Sequence, residues 1–161
     1  MNTKMTEQEK HMREAIRISL ENVTSGNGGP FGAIIVKNNK IIATGANEVT
    51  STNDPTAHAE IVAIRNACKS LGSFQLNDCE IYCSCEPCPM CLGAIYWARP
   101  AKIYYANTKK DAADINFDDD FIYNEIELPI NNRKLPTIQI LRNEAQVAFK
   151  EWSNSTKKTE Y

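Results

Sequence analysis

The sequence predicts an α/β fold in which helices cover both faces of one five-stranded sheet. Two observations predict it. Short runs rich in β-branched and aromatic residues alternate with longer segments whose apolar residues recur at helical spacing. The links after the second strand are long enough to hold a helix, which favours right-handed crossovers between strands. With 161 residues, 42% of them hydrophobic, the chain has the size of one domain with its own core.

The first quarter of the chain predicts a helix followed by a hairpin. Thr6 and Glu9 form a capping box, and one helical face then carries Met12, Ala15, Ile16, Ser19, Leu20 and Val23, which are apolar except for the small Ser19. His11 stands beside charged residues near the helix start, so we expect its side chain to be exposed. A glycine-rich break, a buried strand, a hairpin turn and a second strand follow at residues 25–30, 31–36, 37–40 and 41–44.

The rest of the chain alternates helices and strands. Asp54-Pro55 is typical of a helix start, with Asp as N-cap and Pro in the first helical position; Gly72 ends that helix. Pro87 opens another helix, which closes at Ala98. The remaining strands are predicted at residues 79–85, 102–106 and 137–141. A polar, helical stretch is predicted after Asn107 up to Ile115, and a last helix at 144–152.

Two short segments carry residues that an ordinary core does not require: His58-Ala59-Glu60 and Pro87-Cys88-Pro89-Met90-Cys91. One His and two Cys three residues apart offer three ligands suited to Zn²⁺ and leave a fourth, tetrahedral position for water. Glu60 is then placed as the base that takes a proton from that water. The pattern H-x-E…P-C-x-x-C is typical of zinc-dependent nucleobase deaminases.

The geometry of the predicted helices constrains this site. Positions 58 and 60 do not share a face of an ideal helix, so both reach one pocket only if the pocket overlies the helix N-terminus. Cys88 and Cys91 do share a face, and the free amides of a helix start favour thiolates.

Other readings of these residues remain open at this point. The His and Cys side chains could be ordinary core residues, and Glu60 a solvated helix residue. Cys83 and Cys85 could complete a closed, four-ligand structural site, although strand alternation places both outside the helical turn of Cys88 and Cys91. A catalytically idle zinc module is a further alternative, against which the presence of Glu60 counts.

The composition indicates which classes of binding partner and which cellular compartment to expect. The net charge is −2 and the isoelectric point is near 5.7, which gives no electrostatic footprint for a polyanion and favours a small-molecule substrate over nucleic acid. Four of the six cysteines lie between residues 83 and 91, a pattern more typical of metal binding in a reducing compartment than of disulfides. No signal-peptide or membrane-spanning run is evident. We therefore expect a cytoplasmic protein with no membrane partner.

The chain resembles the cytidine deaminase-like superfamily and, within it, the small zinc-dependent guanine deaminases of bacteria. The stretches that carry the resemblance are Gly28–Ala33, Asn53–Glu60, Ser84–Pro100, Phe117-Asp118-Asp119 and the terminal Glu160-Tyr161. The resemblance implies a single domain over residues 1–161, a three-layer α/β/α arrangement with a central mixed five-stranded sheet, one catalytic Zn²⁺ per subunit, and hydrolysis of guanine to xanthine and ammonia. Guanosine deaminase and tRNA adenosine deaminase are the alternatives.

The same resemblance implies roles for individual residues. Glu60 shuttles protons, and Asp119 is a second carboxylate that assists departure of the amine, with adjacent Asp118 as the alternative. Contacts to the purine are implied for Asn47, Phe31, the Ala59 backbone, Trp97 and Tyr161. It also implies a homodimer in which residues 137–161 are exchanged between subunits, so that the end of the chain closes over the pocket.

Overall fold

The computed structural model describes residues 5–161, which form two compact units, one up to Asp119 and one from Asp120 to Tyr161. The strands are β1 (Gly32–Lys37), β2 (Lys40–Ala46), β3 (Cys79–Cys85) and β4 (Lys102–Asn107). The helices of the first unit are α1 (Glu7–Thr24), α2 (Val49–Thr52), α3 (Ala59–Leu71), α4 (Pro89–Ala98) and α5 (Lys109–Ala113). The second unit holds α6 (Asp120–Glu127), a 3-10 turn (Ile130–Asn132) and α7 (Arg142–Asn154).

The sheet confirms the predicted fold class. Its order is β2-β1-β3-β4; β1 pairs antiparallel with both β2 and β3, and β3 pairs parallel with β4. The antiparallel pair β1–β2 is closed by the predicted hairpin turn, in which Asn38 and Asn39 both adopt positive φ, as a two-residue type I′ turn requires. The parallel pair is joined by the crossover through α4.

Helices cover both faces of this sheet. Because side chains alternate along a strand, β1 sends Ile34 and Val36 to one face and Ala33 and Ile35 to the other. The first set packs with Tyr82 and with Ala15 of α1. The second packs with residues of α3 and α4: Ala59, Ala63, Ala67, Ile95 and Ala98. The result is the three-layer arrangement that the sequence predicted.

The prediction of an exposed His11 is wrong. Its side chain is 8% exposed, its Nε2 lies 3.0 Å from Asn39 Oδ1, and its ring packs against Tyr82 with centroids 5.3 Å apart. The charged residues next to it in the sequence lie on the outer side of the helix, so they do not predict whether a residue on the inner side is buried. The capping box at the start of the helix is confirmed: Glu9 N–H donates to Thr6 Oγ1 over 3.2 Å.

The buried face of α1 is also rotated from the predicted one. His11, Ala15 and Asn22 are buried, whereas the large apolar residues Ile16, Leu20 and Val23 are exposed. Close backbone contact explains the choice: a Cβ on Gly32 of β1 would overlap the Ala15 carbonyl oxygen. The helix docks through its smallest side chain, which brings the two backbones together, and not through its bulkiest.

Both helices that carry the metal motifs start later than predicted. Asp54 caps a local turn, accepting hydrogen bonds from Thr56 N–H (2.8 Å) and Thr56 Oγ1 (2.7 Å), and His58 is the N-cap of α3. Cys88 is the N-cap of α4. A residue before proline is held in extended backbone, so Pro89 keeps Cys88 out of the helix.

The predicted fifth strand at 137–141 is wrong. Within the described chain the sheet has four strands, and these residues make no strand pairing. Ile138 and Ile140 are exposed. A β-branched pattern favours extended backbone but supplies no partner for its ladder hydrogen bonds.

The last helix is confirmed with wider bounds than predicted. No helix found between residues 5 and 161 combines the length and apolar character that crossing a membrane demands.

Gly45 of β2 provides a test of how α3 packs on the sheet. A Cβ there would overlap the Ala59 carbonyl oxygen and approach Ala63 N, so Gly45→Ala must push the helix away from the strand. We expect the free energy of unfolding to fall by about 2 kcal/mol or more. The matched control is Gly93→Ala inside α4, where an added Cβ meets nothing within 4 Å. Its free energy of unfolding should rise by about 0.5–1 kcal/mol.

Chemical denaturation of both variants against the wild type measures the difference. A Gly45→Ala protein as stable as the wild type would contradict the close approach of α3 to β2.

Candidate active site

Strand ends and helix starts meet at one edge of the sheet. Because β3 and β4 are parallel, their carboxyl ends lie together, and the antiparallel β1 begins at the same edge. Hydrogen bonds join the segments that leave these strands: Glu86 N–H donates to Asn107 O (2.8 Å) and Lys109 N–H to Glu86 Oε2 (3.0 Å). On the hairpin side, Asn47 N–H donates to Phe31 O (3.1 Å). These segments surround the starts of α3 and α4.

The three predicted metal ligands lie together at this edge. His58 Nδ1 is 3.5 Å from Cys88 Sγ and 3.5 Å from Cys91 Sγ, and the three ligand atoms lie within 4.8 Å of one another. Zn–N and Zn–S bonds at a tetrahedral angle would separate the nitrogen and sulfur atoms by about 3.6 Å. The spacing therefore fits zinc.

The two helix starts explain how this cluster forms. His58 and Cys88 are both N-cap residues with extended backbone, so each side chain projects past the first turn of its helix. Glu60, in the first turn of α3, lines the same cavity as His58. The prediction that both residues can share a site only over the helix N-terminus agrees with this geometry.

The pKa values of the Cys88 and Cys91 thiols are shifted in opposite directions. A hydrogen bond from Cys91, helped by His58 and by Cys91 N–H, lowers the pKa of Cys88 to about 4. The neighbouring Cys88 sulfur, and then burial, raise the pKa of Cys91. Two adjacent thiolates repel each other, so a divalent cation is the natural partner for both. The chemistry of this donor set agrees with its geometry.

Cys83 and Cys85 stand apart from this cluster. Burial raises the pKa of Cys85 to about 11 and that of Cys83 well above its ordinary value, so both stay neutral thiols. The Cys85 thiol donates to Thr108 O over 3.5 Å. Among residues 5–161, the metal-binding cluster has His58, Cys88 and Cys91 as its members, which favours an open site over a closed cage.

Glu60 is a buried carboxylate beside the metal ligands. Its side chain is 8% exposed, and burial, followed by the charge of the Cys88 thiolate, raises its pKa. A carboxylate with little water around it needs a partner or a chemical role. Its position agrees with a group that accepts and releases a proton.

Two of the ligands, His58 and Cys88, line a cavity of about 420 Å³ together with Glu60; its size is within the range of small-molecule sites. Predicted site residues that line it are Phe31, Asn47, His58, Glu60, Cys88, Asp118 and Asp119. The other lining residues are Gly29, Val49, Thr50, Cys85, Glu86, Lys109, Ala112, Asn116 and Phe117.

Asn47 presents its amide to this cavity in a fixed orientation. Its Oδ1 accepts hydrogen bonds from Gly29 N–H and Val49 N–H, each over 3.4 Å. Backbone N–H groups can only donate, so the oxygen must face them. The amide nitrogen of Asn47 is then the atom positioned to donate to a ligand.

An aromatic pair forms one apolar wall. The rings of Phe31 and Phe117 meet edge to face, with centroids 5.0 Å apart and an interplanar angle of 89°. This is a favoured geometry for aromatic rings, and it fixes the Phe31 ring beside the cavity.

Asp119 differs from its neighbour Asp118. Asp119 is partly buried and Asp118 is exposed. Burial, and then the charge of the Cys88 thiolate, raise the pKa of Asp119. The charge of Asp119 in turn helps to raise the pKa of His58, for which the hydrogen bond with Cys88 is the main cause. The charge of Asp119 therefore acts on one of the metal ligands.

Three other predicted contact residues lie elsewhere. Within the described residues, the cavity lining does not include Ala59, whose side chain is in the core below α3, or Trp97, which is 64% exposed on α4. Tyr161 belongs to the second unit and is exposed. Their contacts with a substrate stay predictions.

Sequence reasoning did not single out Glu86 or Lys109, although the topology offers a signal for both. Each follows a strand, and the two strands are parallel neighbours, so residues just after them must come together. Thr50 and Asn116 carry no such signal, because they lie in connections whose course is set by packing.

Comparison with known proteins agrees with this geometry. A family model for the cytidine and deoxycytidylate deaminase zinc-binding region matches residues 5–107. The chain is 54% identical over 153 residues to the guanine deaminase of Bacillus subtilis, an alignment that covers 95% of this chain and 98% of that protein. An X-ray structure of guanine deaminase from Bacillus subtilis matches with a TM-score of 0.93.

More distant relatives cover less of the chain. A structure of guanine deaminase from Nitrosomonas europaea matches with a TM-score of 0.67 at 29% identity, covering 73% of this chain and 68% of that one. The tRNA-specific adenosine deaminase of Aquifex aeolicus is 38% identical over 107 residues, which is 66% of this chain and 68% of that protein.

Cysteine substitutions test the membership of the metal cluster. Cys91→Ser should lower the affinity for zinc more than about 100-fold, beyond the usual effect of losing an outer partner. Cys85→Ser, a matched control on the adjacent strand, should keep one zinc per chain. Metal content after dialysis against a graded chelator series measures both. Equal zinc loss in the two variants would instead indicate a four-ligand cage.

Proposed function

The chain belongs to the cytidine and deoxycytidylate deaminase zinc-binding family, and from this premise we propose how its residues carry out the hydrolytic deamination of guanine. The reaction replaces the exocyclic amine by oxygen from water, giving xanthine and ammonia. The observation that carries this function is the near full-length match to the guanine deaminase of Bacillus subtilis. The substrate is a small-molecule purine.

Zinc is the cofactor, and His58, Cys88 and Cys91 would hold it. Bound there, it supplies Lewis acidity that lowers the pKa of water to about 7, so a nucleophile is available at neutral pH. The protein's own part is to bind the base, orient it and move protons.

Glu60 is proposed to move the first proton. Hydrolysis requires that a proton leave the attacking water and reach a ring nitrogen of the base. A carboxylate within reach of both positions can act first as base and afterwards as acid. Burial, which raises the pKa of Glu60, supports this role, because it favours a carboxylate that holds a proton between the two steps.

Asp119 is proposed to assist the departure of the amine. The leaving nitrogen must gain a proton to depart as ammonia. A second carboxylate in the cavity can take that proton from the hydroxyl that water has added to the base and pass it to the amine as the C–N bond breaks. The partial burial of Asp119 and its coupling to the metal ligands support it over Asp118.

The base is proposed to lie between the aromatic pair and the amide of Asn47. Phe31 supplies an apolar surface for the purine ring, and Phe117 holds that ring in place. The Asn47 amide nitrogen donates to an acceptor on the base, since its oxygen is already occupied. The Ala59 backbone, Trp97 and Tyr161 are further proposed contacts.

A homodimer that exchanges residues 137–161 is proposed to complete the protein. Apolar side chains in this part of the second unit are largely exposed: Ile138, Ile140, Leu141, Val147, Phe149 and Trp152. The first unit exposes Tyr96, Trp97 and Tyr105. Exposed apolar surface of this kind usually marks an interface. In the proposed homodimer, the second copy of the chain is the partner at that interface.

A cytoplasmic location belongs to the same proposal. Cys88 and Cys91 must stay reduced to bind zinc, and the cysteines of the described chain are free thiols. Reducing conditions of that kind are typical of the cytosol.

tRNA adenosine deamination is the less supported alternative. Relatives with that activity match between 44% and 66% of the chain, and the net charge of −2 provides no general attraction to a polyanion.

Glu60→Gln tests the mechanism. The amide is isosteric but cannot take up a proton, so kcat on guanine should fall about 10²- to 10⁴-fold while one zinc per chain is retained. The ultraviolet spectra of guanine, guanosine and adenosine, followed in parallel, measure conversion. Glu80→Gln, an isosteric change on β3 that keeps an acceptor for Tyr82, should leave kcat unchanged.

Two outcomes would change the assignment. Conversion of guanosine in place of guanine would make this a nucleoside enzyme with the same chemistry. An active Glu60→Gln enzyme would remove Glu60 as the proton carrier.

Truncation tests the exchanged segment. Light scattering should give the mass of two chains for the intact protein, and a chain ending at residue 136 should run as a monomer with little activity, because its pocket lacks the closing end. A monomeric, active intact chain would contradict the homodimer.

A further inference from the structure

Asn22 connects α1 to the cavity without lining it. The residue is near the carboxyl end of α1 and is 6% exposed. Its Nδ2 donates to Gly29 O over 2.8 Å and to Asn47 O over 2.9 Å. Gly29 and Asn47 both line the cavity, so one buried amide ties together two segments that are distant in sequence.

The packing around this amide leaves little freedom. A Cβ on Gly28 would overlap the Asn47 carbonyl oxygen and lie 2.9 Å from Asn22 Nδ2. The backbone of the glycine loop therefore touches the end of β2, and only a residue without a side chain fits there. Asn22 O also accepts from Asn27 N–H over 3.1 Å, which holds the start of the loop on the same residue.

These contacts act in series on the side chain of Asn47. Asn22 fixes the carbonyl groups of Gly29 and Asn47, and this places Gly29 N–H where it donates to Asn47 Oδ1. That bond, with the one from Val49 N–H, decides which way the Asn47 amide faces. The direction of the amide thus depends on a residue of α1.

We propose that Asn22 is a positioning residue for purine binding, a role that rests on the proposed contact between Asn47 and the base. It holds the Asn47 amide in the orientation that meets the substrate. The zinc ligands and Glu60 belong to α3 and α4, which cover the other face of the sheet from α1. Loss of Asn22 should therefore weaken binding of the base and leave the chemical step intact.

The test is a double-mutant cycle on the zinc-loaded enzyme with guanine. Asn22→Ala should raise KM about five- to tenfold, the effect of one neutral hydrogen bond, with kcat within about twofold of the wild type. Asn47→Ala should raise KM at least as much. If Asn22 acts through Asn47, the double variant should have the KM of Asn47→Ala alone, because the two effects share one interaction.

Two further variants separate positioning from general stability. His11→Ala removes another buried polar contact of α1, the one with Asn39, and should lower the melting temperature with KM unchanged. Asn22→Ser keeps a donor in a smaller side chain and should recover part of the KM lost in Asn22→Ala. It also provides a folded protein to measure if the alanine variant does not fold.

The outcomes are distinguishable. KM effects of Asn22→Ala and Asn47→Ala that multiply in the double variant would overturn the positioning role, as would a fall in kcat with KM unchanged. An Asn47→Ala enzyme with the wild-type KM would overturn the proposed Asn47 contact, which is a separate result from failure at Asn22.

Discussion

The active site depends on the backbone at two helix starts. His58 and Cys88 are N-cap residues, and an N-cap has extended backbone that turns its side chain across the first helical turn. Two helices that begin side by side at one sheet edge therefore aim a nitrogen and a sulfur at the same point. Cys91 adds the third ligand from within its helix. The pairing of β3 with β4, the close seat of α3 on Gly45 and the later start of α4 at Pro89 all serve this convergence.

Burial shapes the chemistry of the groups around that point. Little water reaches Glu60, so its carboxylate holds a proton more readily than an exposed one would. Hydrogen bonds from the Cys91 side chain, from His58 and from Cys91 N–H lower the pKa of Cys88 and favour its thiolate, and the thiolate charge raises the pKa of both Glu60 and Asp119. Cys85, only three residues away, faces a backbone carbonyl and stays neutral. Similar side chains thus take different roles because their surroundings differ.

Features that depend on residue type and spacing could be predicted from the sequence. The cluster of metal ligands, the position of Glu60 beside it, the hairpin with its two Asn residues and the alternation of strands and helices follow from local chemistry. His11 and the inner face of α1 do not, because a helix can dock through a small residue when a glycine such as Gly32 lets the backbones meet. Nor does strand pairing at 137–141, since a suitable pattern specifies no neighbour. The cavity walls at Thr50 and Asn116 depend on the paths of connections, which no periodicity records.

If Asn22 has its proposed role, substitutions on the two faces of the sheet would have different effects on the enzyme. The metal ligands and the proposed proton carrier Glu60 lie on the side of α3 and α4, so a substitution that displaces one of them would abolish turnover in the proposed mechanism. Under the proposed role of Asn22, α1 would act on the base through the Asn47 amide, away from the metal ligands. Substitutions in the first helix could therefore change how tightly a base is held while the metal ligands stay unchanged, so sequence changes that tune affinity could accumulate on the side of the sheet opposite those ligands.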